Sequence, residues 1–506
     1  MAKYLRYRPI CVAVLLSALI VLIWATSTSL LRAAPAALPA GSKKVYLPMV
    51  RASGTTNPTP TPTPTPPSGD ESGALFMQPD QKTAGASLKV DAQGGMHIVY
   101  HNALPLAENP AMTYGYCPPP AAQCSDARKW SYLSQGDAVD QAQLALTPEG
   151  KPRVLVGLHN TAAFEEWLFY GECNHNCTAS ADNWTFVHVA TQSLNAVSIS
   201  DSERPRRSFA LDAQGHPGFV YYDRDYVNKE PDHTGGYYYS CQTNCTDRAN
   251  WSEAHFTRTS GYYDEMIDAP VLQYTSDGRP RVLAVLYPLN ETGEPYGLYY
   301  FACDTACATA GAWDRTMIDE RTSGPYPAWD LELDSRNNPR VAYFKYNAGS
   351  SSRTLWYEWC NTACSNGANW NKTSVGVPVE EGIGADLELD STGRPRIAFL
   401  TSNQLGYTWC NNNCTTPQGW QHGYGDSDDQ MTEDYPIALP ATCNSAIWYT
   451  YSPSLALDKN GDPRIAYDGS YQGYCQYQDP SDPTKPPTSE FREIWHAVRL
   501  MFTTQP

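Results

Sequence analysis

Carboxylates are the residues of this chain with the clearest chemical potential, because they come in clusters. The run GDSDDQMTED (425–434) holds Asp426, Asp428, Asp429, Glu433 and Asp434, hard oxygen donors of the kind Ca2+ takes. Its spacing is not that of an EF-hand loop. A second cluster, Asp264, Glu265 and Asp268, follows two tyrosines, Tyr262 and Tyr263, and a third is the pair Glu380 and Glu381. Smaller groups stand at Asp137 and Asp140, and at Asp201 and Glu203. Like charges held close raise one another's pKa unless a cation or basic partner neutralises them. These residues are the expected ligand contacts, and Ca2+ is the one cofactor the donors suit. The plainer reading is that acidic loops keep the protein soluble. No Gly-x-Ser-x-Gly, His-Glu-x-x-His, Walker-type loop or dinucleotide fingerprint occurs.

Positioning such clusters falls to a repeat. One phrase recurs seven times: SLKVDAQGGMHIVY from Ser87, QLALTPEGKPRVLV from Gln143, SFALDAQGHPGFVY from Ser208, VLQYTSDGRPRVLA from Val271, DLELDSRNNPRVAY from Asp330, DLELDSTGRPRIAF from Asp386 and SLALDKNGDPRIAY from Ser454. Each is an alternating strand, a turn rich in Asp, Asn, Gly or Pro, and a β-branched strand, which is a hairpin signature. An aromatic strand then runs into a Cys pair with a Trp shortly after it, as in YYYSCQTNCTDRANW (237–251). Four antiparallel strands per repeat, seven times over, is the arithmetic of an all-β, seven-bladed propeller. The segment ALFMQPD (74–80) is expected to pair with the last blade and close the ring, which removes an exposed sheet edge.

The cysteines follow the repeats. Cys117/Cys124, Cys173/Cys177, Cys241/Cys245, Cys303/Cys307, Cys360/Cys364 and Cys410/Cys414 are local pairs, and Cys443 with Cys475 makes a seventh. Two thiols per blade are too few for a structural zinc site, so disulfides are expected. The recurring arginines Arg153, Arg281, Arg340, Arg396 and Arg464 hold one repeat position, which marks them as structural. Tyr221, Tyr222, Tyr226, Tyr287 and Trp448 either stack on sugar rings or pack the blades. In this connectivity the Asp-Gly and Cys turns share one face of the disc. The acidic loops leading into each blade lie on the other, more variable face, where function usually sits.

A basic start, an apolar run from Cys11 and small residues at 33–40 read as a signal peptide or membrane anchor over 1–40. Residues 41–73 form a linker whose alternating Pro-Thr tract (58–67) favours an extended chain. The propeller is assigned to 74–506. The formal charge is -17, but residues 1–51 hold seven of the 36 Lys and Arg and no acid. The remainder therefore carries 29 basic against 53 acidic residues, or -24, which disfavours a nucleic-acid partner. Export follows from the leader and the paired cysteines, with membrane contact only through the leader if it is retained.

The VYLPMV segment (45–50) with its Thr-Pro tract resembles leaders of secreted and surface proteins of some filamentous bacteria. The turns in LDSTGRPRIAF and LDKNGDPRIAY resemble the BNR, or Asp-box, repeats of sialidase-like propellers, although the Ser before the Asp and the aromatic after the Gly are absent. That resemblance implies a propeller acting on glycans. Sialidases use six blades, an arginine triad and a Tyr-Glu pair; the arginines here repeat structurally, so the triad is not carried over. The expected function is an extracellular or surface-tethered module that binds a glycan or protein without catalysis. The alternatives are a sialidase-like glycoside hydrolase or lyase, and a structural envelope protein.

Overall fold

The computed structural model of this chain describes residues 73–503 apart from 104–110, 137–138, 161–164, 194–206, 224–234, 258, 261–262, 288–294, 310, 321–327, 348–351, 380–382, 402–403 and 478–486. The leader and almost all of the linker fall outside these residues, as do Tyr226, Tyr262, Glu380 and Glu381. Among the described residues no helix is long and apolar enough to cross a membrane.

Seven four-stranded antiparallel sheets are present, one per repeat. Blade 1 runs through Lys82–Val90, Met96–Ala103, Ala111–Cys117 and Ser131–Gln135. Blade 2 is Val139–Leu146, Pro152–Asn160, Glu165–Cys173 and Trp184–Ser193; blade 3 is Phe209–Leu211, Pro217–Asp223, Gly235–Cys241 and Trp251–His255. Blade 4 is Met266–Tyr274, Pro280–Tyr287, Gly297–Ala302 and Asp314–Glu320; blade 5 is Trp329–Leu333, Pro339–Tyr346, Arg353–Cys360 and Trp370–Val379. Blade 6 is Ile383–Leu389, Pro395–Leu400, Gln404–Cys410 and Trp420–Ser427. Blade 7 takes Cys443–Leu457, Pro463–Tyr477 and Thr488–Phe502, and its outer strand is Gly73–Phe76 from the other end of the chain. Gly73 pairs with Phe502 and Phe76 with Arg499, so the ring closes as expected.

Each repeated residue has a mechanical reason. The turn aspartates accept hydrogen bonds from backbone N–H groups two and four residues on, as Asp390 does from Thr392 and Arg394 at 2.9 and 3.0 Å. The fourth turn residue is left-handed, which is why Gly recurs there; in blade 5 Asn337 takes that place at φ 64°. The recurring arginine clamps the end of the third strand. Arg396 donates to the carbonyls of Pro395 and Cys410 and to the side chain of Asn411 at 2.9–3.1 Å. Arg153, Arg281 and Arg340 repeat those contacts with their own cysteines.

All seven expected disulfides form. Cys117–Cys124, Cys173–Cys177, Cys241–Cys245, Cys303–Cys307, Cys360–Cys364 and Cys410–Cys414 each close the turn after a third strand. The seventh, Cys443–Cys475, instead joins two strands of blade 7. After each local pair the Trp indole N–H donates to the second cysteine's carbonyl. Trp130 reaches Cys124, Trp184 Cys177, Trp251 Cys245, Trp313 Cys307, Trp370 Cys364 and Trp420 Cys414, at 2.8–3.2 Å. In five blades that bond fixes the ring against the preceding blade. Tyr114–Trp184, Tyr170–Trp251, Tyr238–Trp313, Tyr300–Trp370 and Tyr357–Trp420 meet edge-on with centroids 5.2–5.3 Å apart. Such pairs contribute about 0.5–1.5 kcal/mol each beyond their burial.

The innermost strands are stitched around the axis by the first residue of each repeat. Ser87 accepts from Leu144 N, Gln143 from Phe209 N, Asp330 from Leu387 N, Asp386 from Leu455 N and Ser454 from Leu88 N, at 2.6–3.1 Å. Blade 4 has Val271 at this position and offers no acceptor. There Leu331 N turns to the carboxylate of its neighbour Asp330, while the Trp329 indole reaches back to Ala269 O. The aspartates of blades 5 and 6 are thus partly architectural.

Candidate functional site

The third residue of each repeat follows the stitching residue by two and shares its face. Around the axis these residues are Lys89, Ala145, Ala210, Gln273, Glu332, Glu388 and Ala456. Alanines at 145 and 210 leave a cavity of about 230 Å3 in the channel, lined also by Lys89, Arg207, Gln273 and Asp386. Arg207, just before the inner strand of blade 3, crosses this space. Its guanidinium meets Glu332 at 2.9 Å, Asp330 at 3.1 Å and Glu388 at 3.1 Å, and it also pairs with Asp386. Lys89 lies 3.6 Å from Glu388, and Gln273 donates to Glu332 at 2.9 Å.

Four carboxylates thus share two cations in the channel. Desolvation would lower the Arg207 pKa, but Asp330, Asp386 and the two glutamates hold it well above its ordinary value. Burial raises Asp330 and Asp386 despite Arg207. Burial raises Glu332 too, and the charge of Glu388 adds to it. Asp386, which lines the cavity, is thereby held towards the protonated form, as acid catalysis requires.

A second feature rises from the variable face. The strands of blade 7 run past the disc as a three-stranded wall, with Cys443 and Cys475 directly opposite one another and joined. One side packs Trp448, Tyr471 and Met431 of the short helix Asp428–Asp434 into the core. The other side continues the surface that covers blade 1. It carries Ile447, Tyr449, Tyr474 and Phe491, with Tyr474 56% and Phe491 46% exposed. Phe491 meets Tyr474 and Tyr449 edge-on at 5.1 and 5.8 Å.

Polar groups adjoin these rings on the same side. Gln472 donates to Ser470 and Tyr451, Ser470 to Glu493, and His496 Nδ1 lies 3.0 Å from Glu493. Burial would raise the Glu493 pKa, but His496, Ser470 and Lys82 together hold it at about 2. The other ring nitrogen of His496, Nε2, has no partner among the described residues. Rings bordered by a fixed carboxylate and an amide suit a polyhydroxylated ligand.

The residues expected from sequence are placed differently. Glu265 has no exposed surface and pairs with Arg315; Asp268 is buried and accepts from the Tyr287 hydroxyl at 3.4 Å. Tyr263 and Asp264 lie in a two-stranded ribbon with Thr259–Ser260. In the acidic run, Asp426 and Asp434 both engage the buried Arg499, and Asp428 accepts from Trp448 N at 2.6 Å. Asp429 and Glu433 are the two carboxylates of the run outside those contacts. No cluster of three or more metal-binding side chains occurs among the described residues. Tyr221, Tyr222 and Trp448 are core packing. The paired cysteines serve the scaffold. Cys117, Cys124, Cys173, Cys177, Cys241, Cys245, Cys303, Cys307, Cys360, Cys364, Cys410 and Cys414 hold blade turns, and none of them lines the channel cavity. Only Cys443 and Cys475 belong to a candidate site, as the clasp of the wall.

The sequence reading missed Arg207 and the channel acids, although the alternation D-L-E-L-D in blades 5 and 6 puts each Asp and Glu on one face. It also missed the wall, whose sign is the aromatic, β-prone character of 443–451 and 469–477.

No family model matches this chain, and no curated protein matches it. Among solved structures it is similar to the GH93 α-L-arabinofuranosidase of Fusarium graminearum with arabinobiose, at 14% identity over 64% of this chain and 89% of that one, TM-score 0.40. It is also similar to polysaccharide lyase Uly1, at 9% identity, 83% and 90% coverage and TM-score 0.45. A third is the β-propeller domain of the Trilobed protease from Pyrococcus furiosus, at 7% identity, 81% and 95% coverage and TM-score 0.40. At these identities and TM-scores the likeness carries no information about activity.

Proposed function

We propose that the chain is an exported carbohydrate-binding propeller whose ligand lies along the blade-7 wall, its sugar rings stacked on Tyr474 and Phe491. The observation that carries this reading is the exposure of two touching aromatic rings beside Gln472, Glu493 and His496. Folding alone gains little from leaving such rings in water, whereas a sugar face covers them and its hydroxyls reach the polar groups. The seven disulfides suit an oxidising compartment. Binding on a glycan array, weakened about tenfold in a Tyr474→Ala/Phe491→Ala variant, is the expected result. Both rings are about half exposed, so the variant should still fold, with a melt lowered only modestly by the lost ring contacts. Unchanged binding refutes the wall as the site.

A second reading, that the bound glycan is also cleaved, is favoured by the channel carboxyls Asp330, Glu332 and Asp386, which burial holds towards the protonated form. Reducing-sugar release that disappears in Glu332→Gln while binding persists would establish it. Release without any dependence on Glu332, Asp330 or Asp386 would assign cleavage elsewhere. Asp264 and Tyr263, leading into blade 4, are a proposed further contact on the same face, tested by Asp264→Asn in the same binding assay.

A further inference from the structure

The seam between blades 4 and 5 holds a carboxyl group that neither the channel nor the wall uses. Glu358, on the third strand of blade 5, is only 2% exposed, and its Oε2 has no hydrogen-bond partner among the described residues. It sits opposite Val341 on one neighbouring strand and Lys372 on the other.

The charged and titratable groups around it are few. Asp319 faces it from the outer strand of blade 4, Tyr343 and Lys345 from the second strand of blade 5, and Lys372 from the outer strand. Both lysines are committed to Asp319: Lys345 at 2.6 Å, with Lys372 on the other carboxylate oxygen. Lys372 also lies over the Trp356 ring at 5.7 Å. Among the described residues Glu358 therefore has no cation of its own. Ionised, it would be a second carboxylate beside Asp319 in a dry seam, which burial penalises strongly.

We infer that Glu358 carries its proton at neutral pH and that its ionisation is a switch that loosens the seam between blades 4 and 5. On losing the proton, Glu358 competes for Lys372 and draws it from Asp319, one of the ties holding the two blades together. The electrostatics agree: burial above all raises this group to about 8, with the charge of Asp319 adding to it, against the opposing charge of Lys372, a hydrogen bond with Tyr343 and the charge of Lys345. The sign follows from linkage. A carboxyl whose pKa is higher folded than unfolded binds a proton on folding, so stability falls as pH rises from the ordinary glutamate value to about 8.

The test compares unfolding of the full chain with that of Glu358→Gln between about pH 5 and pH 9. Gln mimics the protonated acid, so the variant should lose one proton's worth of pH dependence. The ratio of the two folding constants should then change up to tenfold per pH unit in favour of the variant, levelling off above about pH 8. A pH-independent ratio overturns the inference. A second variant, Lys372→Met, removes the charge that favours ionisation and should move the transition to higher pH; an unmoved or lowered transition overturns it equally. Should Glu358→Gln fail to fold, the Lys372→Met comparison decides.

Discussion

Replacing Arg207 by Met should unbalance the channel more than any other single change. The guanidinium is the shared partner of Asp330, Glu332, Asp386 and Glu388, and only Lys89, on the far side of Glu388, would remain. Removing one partner of a buried ion pair costs about 3–5 kcal/mol. An independent route gives a similar figure. One more carboxylate must then be neutralised by a proton, at about 1.4 kcal/mol for each unit between the pH and an ordinary pKa near 4. That is about 5 kcal/mol at pH 7.5 but only about 1.4 kcal/mol at pH 5.

The side chain of Arg207 is 11% exposed, so solvent screening reduces these figures little. Denaturant midpoints of parent and variant, measured at both pH values, provide the check. The variant should be strongly destabilised at the higher pH and recover most of the loss at the lower. A penalty below about 1 kcal/mol at pH 7.5, or one of equal size at both values, would refute the picture of an overcrowded acidic channel. Arg207→Lys should fall between, because an ammonium cannot reproduce the guanidinium fork.

Deleting residues 73–80 should lower the melting temperature markedly by removing the outer strand of blade 7 and baring its edge; an unchanged melt would mean the ring does not depend on this closure. Ala306 and Ala363 occupy left-handed positions, φ 55° and 49°, that Asn176, Asn244 and Asn413 fill in other Cys turns. Ala306→Asn and Ala363→Asn should each stabilise by up to about 1 kcal/mol, read as a raised denaturant midpoint. Trp370→Phe should destabilise by about 1 kcal/mol or more, since the Cys364 carbonyl loses its indole donor and the Tyr300 ring loses part of its partner.

Much of the fold could be read from the repeat because each recurring spacing encodes a local hydrogen-bond pattern. Asp390 with Gly393, Cys410 with Cys414, and Trp420 beyond them are all contacts within one hairpin or turn. The ring closure was legible for the same reason, as an orphan strand at one end and an incomplete blade at the other. The site was not legible, because its partners are brought together only by circling the disc. Nothing in the residues around Arg207 announces carboxylates 123 to 181 positions away. The clusters that did stand out, Asp264 to Asp268 and Asp426 to Asp434, attract attention by density along the chain. Yet Glu265, Asp426 and Asp434 are taken up by Arg315 and Arg499. Both sets contain buried carboxylates, and density along the chain reports neither that burial nor the partner each one meets.

The outer strand of blade 7 also determines how the disc bears a load. Gly73 lies beside Phe502, level with the Asp-Gly turns, and the strand rises from there to Phe76 against a neighbour running the opposite way. A pull on the chain before Gly73, directed along the strand, would slide it past that neighbour and strain the paired residues together. The same pull directed sideways would peel them apart one at a time. Phe76, under the Arg499 guanidinium at 4.4 Å, and the fully buried Met77 act as a stop at the inner end of the slide. The disc should therefore hold far more force along its axis than across it.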